Sequence, residues 1–430
     1  MAKRIILGES GGPTPVIDWE VAGALAAAHK RGWQVYGMIN GLGGLLNADA
    51  GPSVVDLTDV DPMAFAFNGP GAGLKTTRIN PKPDQYEKMA EHLRRLGIDA
   101  VVYIGGNDSA DQLLGLSDHY DGVTIHGIKT IDNDLPETHH CPGFGSAALF
   151  NATALKHVHS DYSSYGTRSE RAPGAPAAGP AHLLPVLIYQ VMGRNAGWLA
   201  QATGFAKVDP KGEIDPDRPP HVVLCYEHPY DRTEVLDHVE RAITRFGQAA
   251  VVVQEDLQDR ETGQSLVTRY HKELQRGAHD EITHGRPESF STAVFLAQEI
   301  QQDLGPRCAP HNLKTAVFAP QHIQRSCMMS NVDAAEAYQV GAACIEAIES
   351  NETRRSVVLH RDGGRTTTGL TDLANLAHQV RHIEPRFFRG LDGPTQEFID
   401  EFIYLIGGPA AIPHYSTRRF TPVPFPPGRG

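Results

Sequence analysis

Short apolar runs alternate with helical patterns along most of this chain, and this alternation limits the possible folds more than any other feature. Runs such as Arg4–Leu7, Ala100–Ile104 and Leu183–Val191 are mainly apolar, which is typical of strands buried on both faces. Because parallel strands need crossover connections, the helical patterns between these runs predict an α/β fold with parallel sheets. The other predicted strands are Trp33–Ile39, Val123–Ile128, His221–Tyr226, Ala249–Val253 and Thr315–Phe318, and the predicted helices are Val16–Lys30, Tyr86–Leu96, Thr233–Arg245 and Ala334–Ile348.

The length and charge of the chain narrow the class of protein. A chain of 430 residues is longer than one hydrophobic core usually organises, so two domains are predicted. The formal net charge of −12 argues against a nucleic-acid groove, and no apolar stretch approaches the run of about 18 residues that a membrane span needs. Five scattered cysteines without a CxxC pair favour a reducing, cytoplasmic location. We therefore expect a cytoplasmic protein whose partners are neither nucleic acid nor membrane.

The first turn that carries chemistry follows the first apolar run. It reads Gly8–Pro13, and its paired glycines Gly11 and Gly12 let the backbone approach a phosphate closely. The helix predicted after it offers free N–H groups to an anion. A tight strand-to-helix turn without a ligand is the alternative interpretation.

The second turn, Gly105–Ser109, follows the run Ala100–Ile104. Its two glycines expose backbone donors, whereas Asn107 and Asp108 offer oxygen atoms suited to a magnesium ion that travels with phosphate. Ser109 and Gln112 have the spacing of a capping box, so this turn is also predicted to begin a helix.

The third turn, Lys129–Asp134, packs a cation, a hydroxyl and two carboxylates behind a predicted strand. Asp132 is the natural general base, since a carboxylate can accept the proton of an alcohol that attacks phosphorus. Phosphoryl transfer also needs cations that position and neutralise phosphate, and Arg78, Arg194 and Arg325 are the candidates. A charged surface loop is the alternative.

Five segments, taken in order, resemble those of the 6-phosphofructokinases. They are Ser10–Gly12, Gly105–Ser109, Thr130–Asp134, Met192–Arg194 and His322–Arg325. The resemblance runs from about residue 4 to about residue 350, and the ordered set is specific although several members are weak alone. It implies the phosphofructokinase fold, in which two Rossmann-like parallel-sheet domains hold the active site in the cleft between them.

The resemblance also implies a role for each matched position, with Asp132 as acceptor of the sugar's 1-hydroxyl proton. The implied catalytic set is Asp132, Lys129, Thr130 and Asp134. The implied donor-binding set is Gly11, Gly12, Arg78, Gly105, Gly106, Asp108 and Ser109. The implied set for fructose 6-phosphate is Thr130, Asp132, Met192, Gly193, Arg194, Glu227, His322 and Arg325. Mg²⁺ is the implied cofactor, with Asn107 and Asp108 as its ligands.

Two positions indicate the phosphoryl donor. Members of the family that use ATP tend to have glycine at the two positions where this chain has Asp108 and Lys129. The Asp108 side chain occupies space that a nucleotide needs and repels its phosphates, whereas the Lys129 ammonium can neutralise a leaving phosphate. The pair therefore resembles the pyrophosphate-dependent branch, which interconverts fructose 6-phosphate with diphosphate and fructose 1,6-bisphosphate with phosphate, in glycolysis or gluconeogenesis. An ATP-dependent enzyme, or a diphosphate enzyme for another acceptor such as sedoheptulose 7-phosphate, is the alternative.

The chain departs from the family pattern at several positions. Asn107 replaces the usual magnesium-binding aspartate. The arginines that tetrameric ATP-dependent members contribute across a subunit interface have no match, because Pro185 and Ala316 stand near those positions and Lys314 is displaced by two. A homo-oligomer, dimer or tetramer, is nevertheless expected.

The expected domain boundaries follow the resemblance. A phosphoryl-donor domain covers residues 1–142, a sugar-phosphate domain 143–322, and a return segment 323–413 completes both. The Pro-rich stretch 414–430 is predicted to be an extended tail, and Arg171–Pro180 a loop or insertion.

Rival functions and other motifs are less well supported. A lipid or NAD kinase also carries a Gly-Gly-Asp-Gly turn but should lack Met192–Arg194, and a regulatory paralogue should lose its base, whereas Asp132 is present. His139-His140 and His157-x-His159 lack the further ligands of a zinc site and are interpreted as solvated or helix-surface histidines. Glu255-Asp256 could be a second pair of ligands but is interpreted as the cap of the next turn. The run Val380–Glu384 is too weakly basic for a nucleic-acid patch.

Overall fold

The computed structural model describes residues 2–414 apart from 68, 70, 165–182, 267–290 and 310. The strands in these residues are β1 (Arg4–Glu9), β2 (Gln34–Met38), β3 (Val54–Asp56), β4 (Ala100–Gly105), β5 (Val123–Ile128), β6 (Leu183–Val191), β7 (Val222–Leu224), β8 (Ala249–Gln254), β9 (Asn312–Phe318), β10 (Arg355–Asp362) and β11 (Arg365–Asp372). The α-helices in them are α1 (Ile17–His29), α2 (Gly41–Leu46), α3 (Pro62–Ala66), α4 (Pro83–Leu96), α5 (Asn107–Ser117), α6 (Phe144–Ser163), α7 (Trp198–Ala202), α8 (Arg232–Phe246), α9 (Ser291–Arg307), α10 (Asn331–Glu349) and α11 (Gln396–Phe402).

The larger of the two sheets in the described residues has the strand order β11-β10-β5-β4-β1-β2-β3. Its central strands, from β10 through β5, β4 and β1 to β2, are parallel, whereas β3 and β11 run antiparallel to their neighbours. Every residue of β4 is buried, as the apolar run predicted. The smaller sheet, β7-β8-β6-β9, is parallel throughout. The predicted parallel α/β class is therefore confirmed.

The β10–β11 hairpin was not predicted, because β11 has the sequence RTTTGLTD and none of its residues is buried. Its two-residue turn is formed by Gly363 and Gly364, whose φ angles of 52° and 82° suit the type I′ turn of a tight hairpin. A strand of threonines at the edge of a sheet lacks the apolar run by which the other strands were found.

The path of the chain joins the two sheets. It leaves the larger sheet after β5 and returns to it through α10, which packs against α1. Glycines allow this close helix contact, because a Cβ at Gly23 would lie 2.0 Å from the carbonyl oxygen of Tyr338, and one at Gly341 would lie 1.8 Å from that of Glu20. No helix in the described ranges has both the length and the apolar character needed to cross a membrane.

The segment after β11 packs on the core of the smaller sheet through an aromatic cluster. Phe387, Phe398 and Phe402 surround the buried Trp198 of α7, with ring centroids 5.5–6.4 Å from its ring. The domain boundaries after residues 142 and 322 stay predictions. The tail from 415 onward and the stretch Arg171–Pro180 lie outside the described residues.

Candidate active site

The three predicted turns meet at one edge of the larger sheet. Strand register aligns Glu9 with Ile104 and Gly105 with Ile128, so the segments after β1, β4 and β5 emerge side by side. A cavity of about 230 Å³ lies where they meet. Among the residues that line it are six of those predicted to bind the donor, namely Gly11, Gly12, Arg78, Gly106, Asp108 and Ser109. The predicted residues that complete its wall are Asn107, Lys129, Thr130, Asp132, Asp134, Arg194 and Arg325.

The first turn wraps around the ammonium group of Lys129. The Nζ atom donates hydrogen bonds to the carbonyl oxygens of Ser10 and Gly12, each at 2.7 Å. Burial, followed by the positive charges of Arg325 and Arg78, lowers the pKa of Lys129 to about 8. Lys129 is therefore a cation held beneath the glycine turn, next to the cavity.

The second turn begins α5 in a different way from the one predicted. The helix starts at Asn107, and its N-cap Gly106 makes no side-chain capping bond, so the predicted capping box is wrong. Gln112 instead accepts a hydrogen bond from the Tyr103 hydroxyl at 3.1 Å and donates one to the Ile79 carbonyl at 2.6 Å. The residues that open α5, from Gly106 to Ser109, line the cavity without a side-chain cap, and a helix N-terminus of this kind suits an anion.

The third turn presents the predicted base. The Oδ1 atom of Asp132 is buried and, among the described residues, has no hydrogen-bond partner. The backbone N–H of Asp132 donates to Thr130 Oγ1 at 3.1 Å, which fixes the turn. Burial and then the charge of Asp132 raise the pKa of Asp134 to about 7. One wall of the cavity thus carries a carboxylate oxygen available to a ligand, beside a carboxyl group that titrates near neutrality.

Arginines face these carboxylates from the smaller sheet. Arg194 follows β6, and Arg325 ends a short 3₁₀ helix after β9. Burial lowers the pKa of Arg325 to about 10 and also lowers the pKa of Arg194, whereas the charge of Asp132 opposes both shifts. Arg325 also packs on the first turn, since a Cβ at Gly12 would lie 2.7 Å from its Cζ atom. These cations make the cavity suited to phosphate groups.

Five of the predicted positions do not line this cavity. Gly105 ends β4, Met192 is buried, and Gly193 has a φ of 113°. A Cβ at Gly193 would lie 3.9 Å from Asp132 Oδ1, so this turn still approaches the predicted base. His322 lines an adjoining groove that shares Gly11, Gly12, Arg78 and Arg325 with the cavity.

Glu227 is the fifth of these positions, and its surroundings differ from those of Glu255, which the sequence analysis interpreted as the cap of a turn. Glu227 Oε1 accepts hydrogen bonds from the backbone N–H groups of Gly197 and Ile383 at 3.0 and 2.9 Å. Glu255 is buried, burial raises its pKa to about 7, and the charge of Arg194 is the largest opposing effect. Its position directly after β8 was the available signal, because the carboxyl ends of parallel strands share one edge.

Two further features were missed or misread. His378, Gln379 and Val380 line the cavity, although no local pattern in the sequence marks them. The interpretation of His139-His140 as solvated surface is wrong, because His140 is fully buried. The two rings are hydrogen-bonded at 3.0 Å, and each is paired with a glutamate. In the described part of the chain, no group of three or more His, Cys, Asp or Glu side chains is placed to hold a metal.

Comparison with known proteins agrees with this geometry. The family model described as phosphofructokinase matches residues 4–171 and 178–348. A pyrophosphate–fructose 6-phosphate 1-phosphotransferase of Xanthomonas campestris is 32% identical over 357 residues, which are 80% of this chain and 76% of that protein. The crystal structure of a pyrophosphate-dependent phosphofructokinase from Marinobacter aquaeolei has a TM-score of 0.74 and 28% identity, covering 96% of this chain and 94% of that one. An ATP-dependent 6-phosphofructokinase 2 of Clostridium perfringens is 25% identical over 89% of this chain and 94% of its own. The chain belongs to the phosphofructokinase family, as its ordered motifs predicted.

Proposed function

We propose that this protein transfers a phosphoryl group reversibly from diphosphate to the 1-hydroxyl of fructose 6-phosphate, giving fructose 1,6-bisphosphate and phosphate. One observation carries the proposal: Lys129 and Asp108 border the same cavity as the buried Oδ1 atom of Asp132, which has no hydrogen-bond partner in the described part of the chain. The names of the Xanthomonas and Marinobacter relatives support the same donor and the same enzyme class.

Asp132 is the proposed proton acceptor. The 1-hydroxyl oxygen of the sugar attacks the terminal phosphorus of diphosphate while Asp132 takes the hydroxyl proton. A new O–P bond forms as the bond to the bridging oxygen breaks, and the leaving phosphate keeps that electron pair. Asp134 takes up a proton near neutral pH, which reduces the repulsion between the two carboxyl groups.

The proposed acceptor site uses the arginines. Arg194 and Arg325 bind the 6-phosphate, because guanidinium groups make bidentate, charge-assisted hydrogen bonds to phosphate. His322, with the turn at Met192 and Gly193, completes the contacts. Glu255 joins Glu227 as a candidate acceptor of hydrogen bonds from sugar hydroxyls, because Arg194 and Arg325 are the two cations that most oppose the rise in the pKa of Glu255.

The proposed donor site uses the first two turns. Gly11, Gly12 and the N-terminal N–H groups of α5 bind diphosphate, and Arg78 reaches it from the exposed side of the cavity. Lys129 neutralises the leaving phosphate from beneath the glycine turn. The carboxylate of Asp108 opposes nucleotide binding where ATP-using members of the family have glycine.

Mg²⁺ fits the donor side of the cavity. Asp108 and Asn107 offer a carboxylate and an amide, which are oxygen ligands of the kind that Mg²⁺ prefers. Asn107 donates its Nδ2 group to the carbonyl oxygen of Gln379, so its amide oxygen is the atom suited to the metal. When bound there, Mg²⁺ neutralises charge on diphosphate.

A coupled assay of fructose 1,6-bisphosphate formation tests the function. We expect turnover with diphosphate and Mg²⁺, little or none with ATP, and loss of activity on chelation of the metal. A preference for ATP would refute the proposed donor, and a higher kcat/KM for sedoheptulose 7-phosphate would replace the proposed acceptor. The homo-oligomer and the cytoplasmic location stay predictions, and light scattering tests the former.

A further inference from the structure

We propose that residues His378–Arg381, here named the strap, limit the size of the phosphoryl donor that the cavity accepts. This inference rests on the proposed function and assigns a role to a segment that none of the ordered motifs includes. The strap follows the β10–β11 hairpin and crosses from the donor turn to the turn that carries the base.

The first end of the strap is fixed to α5. The backbone N–H of His378 donates to Asp111 Oδ1 at 2.9 Å, and its ring Nδ1 lies 3.1 Å from Asp111 Oδ2. The carbonyl oxygen of Gln379 accepts a hydrogen bond from Asn107 Nδ2. The strap therefore lies against the N-terminal turn of the helix that is proposed to bind the donor.

The second end of the strap is fixed to the base-bearing turn. The backbone N–H of Arg381 donates to the Asp134 carbonyl at 2.7 Å, and its guanidinium donates to the Asn133 carbonyl at 2.8 Å. The indole N–H of Trp198 donates to the Arg381 carbonyl at 3.0 Å, and the guanidinium lies 4.4 Å from the centre of that ring. With both ends held, the residues between them form a fixed part of the cavity wall.

The strap lies where a donor longer than diphosphate would extend. A donor bound between Gly11 and α5 directs its transferred phosphate toward Asp132, so its remaining atoms extend along the N-terminal turn of α5. His378, Gln379 and Val380 line the cavity on that side. Diphosphate ends after its second phosphate, whereas a nucleoside triphosphate continues with a third phosphate and a nucleoside.

An opened variant tests this role. The triple change His378→Gly, Gln379→Gly and Val380→Gly removes the side chains that border the cavity but keeps the chain length and the Arg381 anchor. Gln379→Ala is a matched partial variant, because it shortens one of the three residues that line the cavity and introduces no glycine. Diphosphate, inorganic tripolyphosphate and ATP are compared as donors by kcat/KM, in the natural chain and with Asp108→Gly. We expect the tripolyphosphate-to-diphosphate ratio to rise about tenfold or more in the opened variant and by less in Gln379→Ala.

The proposal is refuted if the triple variant melts cooperatively, and is therefore folded, but leaves the tripolyphosphate-to-diphosphate ratio unchanged both in the natural chain and with Asp108→Gly. Should the triple variant fail to fold, His378→Gly alone removes the ring contact with Asp111 but keeps the backbone hydrogen bond, and glycine accepts the φ of 58° found there. An unchanged ratio in this variant then also overturns the proposal. Calorimetric titration with tripolyphosphate separates the two proposals. Inactivity of the natural chain with diphosphate refutes the function, whereas equally weak tripolyphosphate binding in the natural and opened chains refutes the strap.

Discussion

Replacement of Asp132 by asparagine isolates proton transfer from substrate binding. Asparagine keeps the size of the side chain but cannot accept the hydroxyl proton, so kcat should fall about 10²–10⁴-fold, or about 3–5 kcal/mol of transition-state stabilisation. The fructose 6-phosphate KM should not rise. In the natural protein the Asp132 carboxylate attracts Arg194 and Arg325, and its neutralisation leaves both cations to the sugar phosphate.

Steady-state kinetics in both directions measure the effect, and thermal melting confirms that the variant is folded. Asp134→Asn is the matched control, because it neutralises the neighbouring carboxyl group without removing the proposed base. It should cost less turnover than Asp132→Asn. Turnover of Asp132→Asn within about tenfold of the natural enzyme, or a loss confined to KM, would refute the assignment.

Three further predictions concern the cations and the helix contact. Arg194→Ala and Arg325→Ala should each raise the fructose 6-phosphate KM about 10–150-fold, the equivalent of a charge-assisted hydrogen bond of about 1.5–3 kcal/mol. Equal effects on the diphosphate KM would contradict the separation of the two sites. The kcat/KM for diphosphate should fall as pH rises through about 8, because Lys129 loses its proton there. Lys129→Met should remove most diphosphate activity and also the fall in kcat/KM at alkaline pH. If that fall persists in the variant, a group other than Lys129 causes it. Gly341→Ala should lower the free energy of unfolding in urea by about 1–3 kcal/mol, since its Cβ would lie 1.8 Å from the Glu20 carbonyl oxygen, and an unchanged midpoint would contradict this.

The fold was predictable wherever a strand is buried on both faces. The runs at Ala100–Ile104 and Leu183–Val191 became β4 and β6 because burial on both faces requires an uninterrupted apolar sequence. The strand Arg365–Asp372 was not predicted, because it lies at a sheet edge, where its threonines are partly exposed and no apolar run is needed. Its Gly363-Gly364 turn was a usable signal, because two adjacent glycines suit a two-residue hairpin.

The site was predictable where its residues follow buried strands. Turns at Gly105–Ser109 and Lys129–Asp134 converge because neighbouring parallel strands end at one edge, and that convergence needs no knowledge of distant contacts. The strap was not predictable in this way. Its place depends on the contacts of His378 with α5 and of Arg381 with Asn133, which join residues far apart in sequence.

The electrostatics of the cavity show why overall charge says little about a binding site. The chain carries a formal net charge of −12, yet it gathers Lys129, Arg194 and Arg325 around one small cavity. Burial lowers the pKa of each, so their charged forms are less favourable in the folded protein than in water. Asp132 and Glu255 already supply part of the countercharge of the two arginines, and phosphate groups bound in the cavity would add to it. Ligands that bind only the folded state stabilise it. The local cations, and not the net charge of the chain, therefore make this cavity suited to small phosphorylated ligands.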